Sequence, residues 1–293
     1  MRPSSRNPVV STVEMMSESK TYSDVPSVTN AEIFESTLDR SAPSSSERRR
    51  SFAHILASPI HYEPGYPYPL LVWLHDIGKY ETELFDVVPK ISARNYVAVA
   101  PRGVSCTTRR VVRNHIGGRL VNVKNWLESC NDWPDTEDAV LETENLVFDS
   151  IEQAKIKFNV NSRRVFLIGR GVGATMAVRV GLRNPHEFAG VVSIDGAFPD
   201  ADNMLLRNWR SARSLPILMT TGANPRNGFS SFTRSQLNFM HAAGLTVFIR
   251  QYDEVSCHPA ASQARMDKIL LDVNRWIMKR ALNPQTPVSE MFS

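Results

Sequence analysis

The stretch Val165-Phe-Leu-Ile-Gly-Arg-Gly-Val-Gly-Ala-Thr-Met-Ala177 decides how this chain is read. A continuous apolar run ends at Gly169, glycines then stand at 169, 171 and 173, and small and apolar residues follow. The pattern predicts a buried strand, a tight turn and a helix. Two chemistries use that geometry. In one, Gly169-x-Gly171-x-x-Ala174 fits the G-x-G-x-x-G/A fingerprint, whose glycines let the backbone approach a pyrophosphate at a helix N-terminus. An acid about 20 residues further on would then meet a ribose hydroxyl, and Asp195 stands at the end of the next expected strand. However, the motif sits mid-chain, whereas the fingerprint marks the first strand of its unit. In the other, Gly169-Arg170-Gly171-Val172-Gly173 has the flanking glycines of a G-x-S-x-G nucleophile elbow, in which a strained turn lifts a nucleophile above the sheet edge. Its central residue is Gly171, not serine.

Outward from this turn, apolar runs alternate with helical spacing. Strands are expected at 52–57, 70–75, 96–100, 165–168, 190–194, 216–220 and 246–250. Helices are expected at 81–93, 139–158, 174–183, 231–243 and 261–281. A Pro-rich turn covers 62–69. Residues 103–137, with Trp126 and Trp133, read as a long irregular insertion of the kind that builds a binding surface or covers a sheet edge. The alternation predicts an α/β domain: a doubly wound, mostly parallel sheet with helices on both faces. It spans about residues 49–283. Residues 1–48 are rich in Ser, Pro, Thr and Arg and too poor in apolar side chains to offset ordering entropy, so a disordered tail is expected there. Residues 284–293 read as a frayed end.

The 293 residues carry 34 Lys+Arg and 30 Asp+Glu, a formal net charge of +4. That excess is small, no basic stripe is evident, and nucleic-acid binding is not expected. Cys106, Cys130 and Cys257 are far apart in sequence and form no C-x-x-C pair. Neither a zinc knuckle nor a redox dithiol is indicated, and the odd, low count suits a reducing compartment. No apolar run approaches the ~18 residues of a membrane span, and residues 1–12 have no apolar signal core. A cytoplasmic protein is expected. The histidines show no metal-ligand spacing, and no cofactor is called for. The oligomeric state stays open.

Four segments in chain order carry a resemblance. They are Pro69-Leu-Leu-Val-Trp-Leu-His75, Val99-Ala-Pro-Arg-Gly103, Arg164–Gly173 with Asn184–Pro199, and Cys257-His258-Pro259. Together they resemble the phospholipase/carboxylesterase group of α/β-hydrolases over residues 50–281. In that family an elbow serine attacks an ester carbonyl, a histidine takes its proton, and a carboxylate orients the histidine.

The resemblance implies that Gly171 holds the nucleophile position, where no acyl-enzyme can form. Asn224, in Gly222-Ala-Asn-Pro225, is the nearest match to the acid, with one residue fewer than the family spacing. His258 alone is retained. The two backbone oxyanion donors fall at Ile77 and Val172, and the family's His-Gly becomes His75-Asp76, whose carboxylate would oppose an oxyanion.

Other residues are weighed for a role. Cys257 adjoins His258, although adjacent side chains usually diverge. Asp253 or Glu254 could orient the histidine, and Asp195 could accept a ligand hydroxyl or act with His258 on water. Ser193 reads as a core hydroxyl and His75 as a structural hydrogen bonder. Arg170 is either a helix-start surface residue or a positive charge at the site's mouth.

Three functions follow as expectations. One is a family member that has lost hydrolysis and binds a small ester, acyl or other ligand, or a partner. Another is an ester hydrolase in which His258 and a carboxylate activate water. The last is a dinucleotide-binding protein built on Gly169, Gly171 and Ala174.

Overall fold

The computed structural model describes residues 54–116, 119–199, 209–222, 234–252 and 259–282, and side chains of 106–130 lie outside that description. Both terminal tails also fall outside the described residues.

Seven strands form one sheet in the order β1-β3-β2-β6-β7-β8-β9. They are β1 (His54–Ala57), β2 (Tyr68–Leu74), β3 (Val97–Pro101), β6 (Val160–Arg170), β7 (Gly190–Ile194), β8 (Ile217–Gly222) and β9 (Val247–Tyr252). Only the edge strand β1 runs antiparallel, against β3, and every other neighbouring pair is parallel. The central strands are continuous apolar runs because helices cover both faces. One face packs Leu70, Val72, Leu74, Val165 and Leu167 against α2 (Glu137–Lys157) and α3 (Val172–Arg183). The opposite face packs Leu71, Trp73, Phe166 and Ile168 against α1 (Leu84–Ser92) and α6 (Pro259–Leu282). Trp73 and Phe166 are fully buried, and each such side chain contributes about 1.5–3 kcal/mol relative to exposure. Two further helices, α4 (Trp209–Ala212) and α5 (Arg234–Ala243), bring Ala212 and Met240 to the first face.

Charge placement supports α2, which has Glu137 and Asp138 in its first turn and Lys155 and Lys157 in its last, each opposite in sign to the adjacent end of the helix dipole.

Three features differ from the sequence expectation. Residues 103–137 are not irregular: β4 (Val104–Ile116) and β5 (Arg119–Asp132) pair antiparallel as a separate two-stranded sheet. The helix after the glycine turn starts at Val172 rather than 174, because Gly171 itself is its N-cap. The apolar spacing that suggested one helix from 81 splits into a 3₁₀ turn (Glu81–Glu83) and α1.

Candidate active site

Sites in open α/β sheets gather at the carboxyl ends of the strands. Here β2 ends at Leu74 and β6 at Arg170, paired through Leu74↔Gly169. The chain reverses at Gly171, with φ 54° and ψ −120°, a backbone that disfavours any L side chain. Its N–H donates to Ile194 O at 2.9 Å, which fixes the turn to β7. Gly169 and Gly173 serve close packing. A Cβ on Gly169 would overlap Gly173 O, and one on Gly173 would overlap His75 O. α3 is thereby drawn against the end of β2.

The space a side chain at 171 would need is filled. A Cβ built on Gly171 would overlap Asp76 Oδ1 and Cγ and lie 2.7 Å from Oδ2. Asp76 Oδ1 accepts hydrogen bonds from Ile77 N–H at 2.8 Å and from Val172 N–H at 3.2 Å. The two backbone donors expected to hold an oxyanion therefore converge on one oxygen of the chain's own carboxylate. The carboxylate also lies at the N-terminus of α3, where a negative charge is favourable and where the first turn has no other acid.

His75 shapes this turn from beneath. It is fully buried. Its Nδ1 lies 2.9 Å from Asp76 O, a carbonyl that can only accept, and its Nε2 accepts from Gly103 N–H at 3.0 Å. The geometry requires the neutral tautomer with the proton on Nδ1. Burial lowers the imidazole pKa, against the opposing pull of the Asp76 carbonyl and of Glu83, Glu81 and Asp76. Trp133 Nε1–H donates to His75 O at 2.8 Å, with ring centroids 5.0 Å apart. At the foot of the β4–β5 arm, Gly78 N–H donates to Asn131 O at 3.2 Å. His75 is thus a structural hydrogen bonder, and Trp133 covers the turn.

Nearby charges are paired. Arg170 donates to Glu83 Oε1 at 3.1 Å, while Glu83 Oε2 accepts from Trp73 Nε1 at 3.2 Å. This settles Arg170 against the α1 side. The guanidinium of Arg102 binds Glu81, which is 3% exposed. Burial alone would raise the Glu81 carboxyl, but Arg102 holds it below its usual range. Asp195, at a left-handed φ of 53°, takes two hydrogen bonds from Arg265 of α6 at 2.7 and 2.6 Å. Its carboxylate is engaged, which leaves it poorly suited to orient a histidine or hold a ribose. Ser193 is fully buried within β7, as a core hydroxyl would be. Beside the turn, a cleft of about 380 Å³ is lined by Tyr80, Glu83, Val87, Arg170, Met266 and Leu270.

The structure brings Gly171, Val172 and Ile77 together around Asp76. Asn224, Asp253, Glu254, Cys257 and His258 lie outside the described residues, as does the Trp126 side chain. Among the described residues, no group of three or more His, Cys, Asp or Glu could hold a metal ion, and no helix is long and apolar enough to cross a membrane. The sequence flagged the charge of Asp76 but not its reach across to Val172. The signal available was the His-Gly to His75-Asp76 change paired with Gly171.

The model of the phospholipase/carboxylesterase family matches residues 65–256. The chain belongs to the phospholipase/carboxylesterase family. Solved structures agree in fold. SOBER1 of Arabidopsis thaliana is similar at 19% identity and TM-score 0.53, covering 73% of this chain and 99% of that one. A carboxylesterase of Bacillus cereus is similar at 12% identity and TM-score 0.52, covering 79% and 95%. No curated protein matches. Family membership and the mostly parallel sheet bear out the resemblance read from the sequence. The turn at Gly169–Ala174 lies within the matched residues. A pyrophosphate at the α3 N-terminus would meet the Asp76 carboxylate, so the geometry gives the dinucleotide reading no support.

Proposed function

We propose that this family member does not hydrolyse esters and uses the remnant site to bind a small acyl, ester-like or partner-borne group. One observation carries the reading: the Asp76 carboxylate fills the place of the missing nucleophile and takes both backbone donors. Hydrolysis by the family route needs an attacking hydroxyl and donors free for the developing oxyanion. Gly171 supplies no hydroxyl, and the donors are engaged by an anion that repels another. The alternative of water activation by His258 needs a free carboxylate, and the Arg265 pairing of Asp195 weighs against that residue. The low, odd cysteine count favours a cytoplasmic setting.

The test is labelling of the wild-type protein with a fluorophosphonate probe, alongside turnover of short p-nitrophenyl esters. No labelling is expected, with turnover no higher than that of His258→Ala. Stoichiometric labelling, or turnover abolished by His258→Ala, would overturn the proposal.

A further inference from the structure

We propose that Cys106 and Cys130 form a reversible cross-strand disulfide at the foot of the β4–β5 arm. The two residues are far apart in sequence, yet they are register partners in the antiparallel ladder. Directly opposed residues in such a ladder share one face, with Cα atoms about 4.5 or 5.5 Å apart. Both separations lie within the range of about 4.4–6.8 Å that disulfides span. The backbone placement therefore permits the bond without movement of either strand.

The location gives the bond a consequence. Among the described residues β4 and β5 pair only with each other, and an isolated two-stranded ribbon is marginal in water. The cysteine pair is the third rung from the foot, after Val104↔Asp132 and Ser105↔Asn131. The second of these rungs touches the Asp76 turn through Asn131 O on Gly78 N–H, and Trp133, the residue after β5, donates to His75 O. A link at the third rung holds the register of the rungs that grip the site, because a one-residue slip would move one cysteine to the opposite face. The inference does not depend on whether the site hydrolyses esters.

The oxidant is a small-molecule disulfide of the glutathione type. One cysteine thiolate attacks a glutathione sulfur and expels a glutathione thiolate, leaving a mixed disulfide. The opposed thiolate then displaces the second glutathione. Two protein thiols and one glutathione disulfide become one protein disulfide and two glutathione thiols, and excess glutathione reverses the exchange.

The full chain is equilibrated across ratios of oxidised to reduced glutathione, quenched with acid, alkylated and mapped as peptides. The expected product is a Cys106–Cys130 peptide pair about 2 Da lighter than its two thiol peptides, with Cys257 alkylated. In concentrated urea the same link should need a ratio at least about tenfold more oxidising, because folding supplies the proximity. Cys257→Ser should keep the link, whereas Cys106→Ser should leave Cys130 as a glutathione mixed disulfide. Absence of the link at the most oxidising ratio, equal formation in urea, or cross-links scattered over all three cysteines would overturn the proposal.

Discussion

Gly171→Ser made alone is expected to destabilise the protein and yield no esterase, whereas adding Asp76→Gly to it is expected to cost no further stability and to let the protein accept an acyl probe. Two terms set the size of the loss. A residue with a Cβ at φ 54° carries backbone strain of about 1–3 kcal/mol. The Cβ would also approach all three atoms of the Asp76 carboxyl group more closely than real Cβ atoms come, so the carboxylate must leave. It then gives up its bonds to Ile77 and Val172 N–H. Charged hydrogen bonds are worth about 1.5–3 kcal/mol each, and these stand at the low end because Ile77 is exposed and water can replace the lost partner.

The single variant should therefore lose about 4–6 kcal/mol. In the double variant the same two bonds are lost once rather than twice, so it should be about as stable as the single variant, and the two changes should couple by about 3 kcal/mol in a double-mutant cycle. The assay is urea unfolding of all four proteins, with fluorophosphonate labelling in parallel. Additivity within about 0.5 kcal/mol would refute the idea that Asp76 fills the side-chain space of position 171.

The neutral tautomer of His75 gives a pH dependence. Its folded pKa lies below the unfolded value, so the unfolded chain binds the extra proton first. The contribution of His75 to stability is complete above about pH 6.5 and is lost as pH falls from there through the folded pKa, at up to about 1.4 kcal/mol per pH unit. Urea unfolding at successive pH values should show this loss, and His75→Gln should flatten it. Arg265→Lys should lower stability by about 1–3 kcal/mol, because a lysine cannot make the two-pronged bond to the Asp195 carboxylate, and an unchanged urea midpoint would count against it. Trp133→Phe keeps the ring but removes the donor to His75 O, and should lower stability by about 1 kcal/mol, read from the same unfolding curves.

Periodicity carried most of the main sheet. Leu70 to Leu74, Val97 to Ala100 and Val165 to Ile168 are unbroken apolar runs, and only strands covered on both faces need them. The elbow was legible because Gly169, Gly171 and Gly173 answer three distinct crowding constraints. The β4–β5 arm was missed, although Gly117-Gly118 lies between one run with Val and Thr and another with Leu, Val and Trp and is a recognised hairpin signal. The mix of Arg, Asn and Lys within those runs hid the alternation. The pairings around the site were beyond reach, because Arg265 with Asp195 and Arg102 with Glu81 depend on how helices dock on the sheet. Asp76 shows both sides of this. Its charge could be read from the chain, but its bond to Val172 depends on β2 and β6 ending side by side.

The interlock of Asp76 with Gly171 also orders the routes by which such a sequence can change. A serine arriving first at 171 meets an occupied space and a strained backbone, and the resulting protein is poorer without being active. Removal of the Asp76 side chain first is milder, because the exposed donor can turn to water. Only from that intermediate does a serine add something useful. A nucleophile at 171 is thus reached in one passable order of substitution, and the carboxylate acts as a ratchet, holding the glycine in place as firmly as the glycine makes room for it.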